Sequence, residues 1–151
     1  MADYFLDSSA IVKRYVTEPG SGVVDSILAP EIASTRYIAE TAIVEVIAAL
    51  HRRSRRAEVG DGGSSQIARF RHELPRLASI VAVSGEVIQF ASELAARRIL
   101  RGYDAVQLAA ACVASTERVE RGSPPLVMVS SDVELNAAAV AEGLDVLDPT
   151  G

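Results

Sequence analysis

The sequence predicts an α/β protein, a three-layer α/β/α sandwich around a mainly parallel sheet of about five strands. Three observations carry that expectation. Short continuous apolar runs, Tyr4-Phe5-Leu6 and Leu126-Val127-Met128-Val129, suit strands covered by helices on both faces. Segments with helical apolar spacing alternate with such runs, as parallel strands joined by crossover helices require. The 151 residues, 49% of them hydrophobic, are enough to bury one full core, so residues 1–151 are read as a single domain.

The first strand runs into Asp7, Ser8 and Ser9, and a helix follows over 9–15, closed by the turn signal Glu18-Pro19-Gly20. Asp7 therefore falls at the carboxyl end of a strand, the edge where open α/β sheets bind ligands. Asp3, four residues earlier, falls on the opposite edge. A short helix is expected over 22–28, then a strand at Ile32, Ala33 and Ser34, then a long helix over 37–57. The middle of that helix, 41–50, carries no charge except Glu45.

The glycine- and serine-rich stretch 59–65 reads as a loop, and the helix after it, over 66–73, is expected to end at Pro75. A β-branched strand over 79–83 and a helix from Gly85 or Glu86 to Leu100 come next. Gly102 is read as a break, after which Asp104 opens a second apolar helix over 105–117. The clearest buried strand, 126–130, leads to Asp132 and a helix over 133–142; Gly143 caps that helix and a last strand covers 144–147.

The one cysteine, Cys112, lies in an apolar run and reads as a small buried hydrophobe; a disulfide within the chain is excluded. Acid rather than a basic leader at Asp3 and Asp7, with no apolar run of membrane length, gives the expectation of a cytosolic protein. The net charge is −5, yet residues 51–76 hold seven arginines against three acids, and Arg97, Arg98 and Arg101 form a second cluster. Two roles are open to these clusters: a solvated helix face, or a patch that meets a phosphate backbone.

Four acids interrupt apolar segments: Asp7, Glu45, Asp104 and Asp132. Asp7, Asp104 and Asp132 each precede a predicted helix, where an aspartate caps backbone N–H groups, so each taken singly has a structural role available. Glu45 has none, because a buried unpaired carboxylate costs several kcal/mol or protonates. An all-oxygen group of this kind prefers a hard ion, Mg²⁺ or Mn²⁺, which can activate water and stabilise displacement at phosphorus. Ser8, Ser9 and Ser130 place hydroxyls beside the acids, either as turn and capping groups or to orient a carboxylate or water.

Other chemistries lack their residues. His51 and His72 sit in arginine-rich segments with no nucleophile paired to them, and there is no G-x-S-x-G, P-loop or G-x-G-x-x-G motif. A phosphatase of the haloacid dehalogenase type wants an aspartate where this chain has Ser9.

With those residues in place, nearly the whole chain resembles the PIN-domain ribonucleases, and among them the VapC toxins of toxin–antitoxin pairs. Phe5-Leu6-Asp7-Ser8-Ser9-Ala10 is similar to the family's opening motif, and Val44-Glu45-Val46-Ile47-Ala48-Ala49-Leu50 to its helical glutamate motif. Tyr103-Asp104-Ala105-Val106-Gln107-Leu108-Ala109 resembles the third motif, and Ser130-Ser131-Asp132 the fourth. The resemblance implies a PIN-like sandwich and an endoribonuclease that depends on Mg²⁺ or Mn²⁺. It also implies a homodimer and a cognate VapB-type antitoxin.

Carried over residue by residue, Asp7 and Asp104 become metal ligands, and Glu45 and Asp132 complete the acidic pocket. Where many relatives carry histidine after the third motif's aspartate, this chain has Gln107. An RNA-processing nuclease without an antitoxin, and a binding module whose acids are only caps, remain as alternative readings. Glu45 argues against the second of these.

Overall fold

The computed structural model describes residues 2–57 and 60–151; Val59, the first residue of the expected glycine-rich loop, lies outside them. Five strands form one sheet in the order β3-β2-β1-β4-β5, every neighbouring pair parallel. They are β1 (Tyr4–Leu6), β2 (Arg36–Ala39), β3 (Ser79–Val81), β4 (Val127–Val129) and β5 (Asp145–Leu147). Helices α1 (Ser8–Tyr15), α2 (Ser21–Leu28), α3 (Glu40–Arg56) and α4 (Ser64–Leu77) precede β3, and α5 (Gly85–Arg97), α6 (Gly102–Glu120) and α7 (Val133–Ala141) follow it.

Successive strand residues point to opposite faces of the sheet, and this builds two cores. Phe5, Ala39 and Met128 pack with α5, α6 and α7, while Leu6, Ile38 and Val129 pack with the helices α1 to α4. All six are buried to 0% exposure, so the three central strands are covered on both sides and the three-layer sandwich expected from the sequence is present. The chain winds outward from β1 through β2 to β3, then returns to place β4 on the other side of β1. That reversal opens a crevice beyond the carboxyl ends of β1 and β4.

Element boundaries differ from the sequence expectation at several places, most clearly at the second strand, α4 and α6. The second strand is Arg36–Ala39, not residues 32–34, and the helix after it starts at Glu40. Tyr37 pairs with both Phe5 and Ser79, so the segment is fixed by its neighbours on either side. Ile32 belongs instead to a turn whose carbonyl, with those of Ile27 and Ala29, accepts from the Arg36 guanidinium.

Helix α4 runs through Pro75 to Leu77. A proline in the last turn forfeits one intrahelical bond near an end that is already short of them. Helix α6 begins at Gly102 rather than after it, which places Asp104 inside the first turn and not at the cap.

No described helix is long and apolar enough to cross a membrane. Cys112 is half-buried against the α5–α7 core, and burial pushes its thiol up to about 12, as suits an inert packing residue.

Candidate active site

Asp7 ends β1 and caps α1; it is 4% exposed. Its Oδ2 accepts from the Ser9 hydroxyl at 2.7 Å and the Ser130 hydroxyl at 3.1 Å. Each hydroxyl also accepts a backbone N–H of the turn after β4, Ser9 from Ser131 at 3.2 Å and Ser130 from Asp132 at 3.1 Å. The two serines therefore stitch the ends of β1 and β4 together and fix Asp7 relative to Asp132. Asp132 caps α7, its Oδ1 accepting from the Leu135 N–H at 3.0 Å.

Glu45 comes from α3, where Oε2 accepts from the Ser8 hydroxyl at 2.9 Å and Oε1 from the Gln107 amide at 3.2 Å. Asp104 comes from the first turn of α6. Ser8, Ser9, Glu45, Asp104 and Asp132 line one cavity of about 510 Å³, and Asp7 lies behind Ser9. Four separate elements thus bring all four acids singled out in the sequence to the crevice.

The electrostatics are those of carboxylates without counter-charge. Burial pushes Asp7 up, against the lowering effect of its two serine hydrogen bonds. Burial also raises Glu45; the Ser8 and Gln107 hydrogen bonds oppose it and the Asp7 charge adds to it. Asp104 is raised to about 6 by burial and by repulsion from Asp132, Asp7 and Glu45, and the Arg101 charge opposes this. Among the described residues none of the four is ion-paired.

An all-oxygen, anionic donor set with this mutual repulsion fits a hard divalent cation. Among the described residues, however, no three His, Cys, Asp or Glu side chains are gathered closely enough to form a ready cage. Three of the acids are instead turned onto neutral donors: Asp7 onto serines, Glu45 onto Ser8 and Gln107, and Asp132 onto a backbone N–H.

Asp7 and Asp132 are both helix caps, and Asp132 also lines the cavity. The three serines all bond to carboxylates or to the turn that carries one, beyond merely closing turns. The arginine cluster divides. Arg97 and Arg98 both donate to Glu142, at 2.6–3.0 Å, which lowers that carboxyl, whereas Arg101 lines the acidic cavity.

Sequence reasoning gave no individual site role to three residues in or beside the cavity: Gln107, Arg52 and Tyr103. The signal for Gln107 was its position three residues after Asp104 on one helix, which puts both on the same face. Gln107 is fully buried, and among the described residues its Oε1 has no hydrogen-bond partner. Neither histidine lines the cavity.

Several solved structures are similar over most of their length. Mycobacterium tuberculosis VapC20, described as a sarcin-ricin loop cleaving toxin, shares 16% identity at a TM-score of 0.65, over 90% of this chain and 95% of its own. The present chain shares the fold of this toxin. A toxin–antitoxin complex from Klebsiella pneumoniae matches at 16% identity and a TM-score of 0.63, covering 97% of this chain and 98% of that one. FitAB bound to a DNA fragment matches at 15% identity and a TM-score of 0.68, covering 98% of this chain and 96% of that one. No protein-family model and no curated protein matches the sequence. In this shared fold, the acidic cavity of the present chain lies at the topological reversal between β1 and β4.

Proposed function

We propose that this chain is a metal-dependent endoribonuclease, the toxin of a type II toxin–antitoxin pair, which hydrolyses RNA phosphodiester bonds with Mg²⁺ or Mn²⁺. The observation that carries the reading is the convergence of four carboxylates from four elements on one crevice, with Asp104 raised to about 6 by burial and by the other three. Structural ion pairs would have lowered these acids, as the two arginines lower Glu142.

Asp7 and Asp104 hold the ion in this reading, and Glu45 and Asp132 complete its shell or orient water. When bound, the ion supplies an activated water and neutralises charge developing on the phosphate and the leaving 3′-oxygen. Ser9 and Ser130 keep Asp7 in register with the turn that carries Asp132. Ser8 and Gln107 hold Glu45 at its two oxygens. With no histidine in the cavity to deprotonate a 2′-hydroxyl, the products carry 5′-phosphate and 3′-hydroxyl ends.

Solved structures of this fold that include antitoxins support a VapB-type partner for this chain, and a homodimer is proposed with it. The test of function is RNA cleavage in excess EDTA, then with Mg²⁺, Mn²⁺ or Ca²⁺ restored. Activity should vanish with chelation and return with Mg²⁺ or Mn²⁺ but poorly with Ca²⁺. Cleavage that survives EDTA would refute the metal role.

A further inference from the structure

The acidic cavity is also where exposed apolar and cationic side chains meet. Tyr103 is 62% exposed and Val44 67% exposed, and both line it. Tyr103 sits between Arg101 and Asp104 in the chain, at the start of α6. Arg52, from α3, lies seven residues after Glu45, two helical turns along the same face.

Of the three arginines in the cavity wall, Arg53 is bonded to Glu18; among the described residues Arg52 and Arg101 are in no ion pair. Both are exposed. On a protein of net charge −5, free cations of this kind localise the attraction for a polyanion.

We propose that Tyr103 is a stacking platform for one unpaired base of the RNA, with Arg52 and Arg101 holding its flanking phosphates. The inference rests on the nuclease reading above and adds the subsite that selects a single strand over a duplex. An exposed aromatic face stacks any base at little cost in specificity, because every base has a π-face. A base inside a duplex already has both faces covered and cannot reach a ring that lines a concave site. A cavity of about 510 Å³ takes a nucleotide-sized group, which is the scale of ordinary ligand pockets.

The test is fluorescence anisotropy, in Ca²⁺, of a labelled mixed-sequence single-stranded RNA of about 12 nucleotides, and of the same RNA annealed to its complement. Wild-type protein should prefer the single strand. Tyr103→Ala and Tyr103→Leu should each weaken single-strand binding about tenfold and leave duplex binding unchanged, while Tyr103→Phe keeps wild-type affinity. Thermal unfolding of each variant accompanies the titrations, and an exposed ring can be replaced without loss of core. Variants that bind the single strand like wild type, or that lose both RNAs equally, would overturn the platform. Wild-type protein that binds neither RNA would overturn the nuclease reading and the platform together.

Discussion

The Gln107 amide of α6 donates to Glu45 of α3 at 3.2 Å, joining the two helices, while among the described residues the other end of the same amide is buried without a partner. A buried unsatisfied acceptor costs roughly 1–3 kcal/mol. Gln107→Met removes that acceptor at nearly constant volume, so the variant should be as stable as wild type or more stable, by up to about 1 kcal/mol. It also releases one oxygen of Glu45, and RNA cleavage should fall by ~10-fold or more. Calorimetry and cleavage assays on the same preparation check both signs. A clear loss of stability would contradict the first.

Asp7→Asn and Asp104→Asn separate capping from catalysis. Asparagine caps a helix about as well as aspartate, so a purely structural Asp7 would tolerate the change. The proposed roles predict loss of cleavage beyond the ~10- to 100-fold typical for losing a group that merely supports a metal ligand. Circular dichroism should show the fold retained in both.

Asp104 also makes stability depend on pH in a defined direction. Its folded-state value of about 6 lies above its ordinary 3.8, so the folded state binds the proton more tightly than the unfolded one. Its contribution is fully present below about pH 3.8 and is lost as pH rises through about 6. Asp7 and Glu45, raised for the same reason, act in the same direction. In EDTA, Asp104→Asn should remove part of the stability loss between pH 4 and 7, and Glu45→Gln should raise the melting temperature at pH 7. Added Mn²⁺ should stabilise wild type more at pH 7 than at pH 5, because binding favours the ionised acids.

The arginines should divide in function as they divide in structure. Arg101→Ala should weaken RNA binding and lower the salt slope by about one. Arg97→Ala and Arg98→Ala remove side chains already committed to Glu142 and should leave both nearly unchanged. Salt titrations of the three variants distinguish them.

Asp7 and Asp132 were legible in the sequence because each stands where an apolar strand stops and a helix starts, a local pattern that survives folding. Glu45 was legible as the one charge in an apolar helical run. The second strand was not: Arg36-Tyr37-Ile38-Ala39 joins α3 without a turn residue, and only pairing with β1 and β3 makes it a strand. Gly102 reads locally as a breaker, but it opens α6. The importance of Gln107 depends on a partner 62 residues away, and the pairing of Arg98 on one 44 residues away. No local periodicity encodes either distance.

The most direct test of the account is to treat bulk bacterial RNA with wild-type protein and with Asp104→Asn, in Mn²⁺ and in EDTA, and to determine the chemistry of the new ends. Metal-activated hydrolysis at the acidic cavity predicts 5′-phosphate and 3′-hydroxyl ends, produced only by wild-type protein and only in Mn²⁺. Fragments ending in 2′,3′-cyclic phosphate, or equal cleavage by Asp104→Asn, would contradict it.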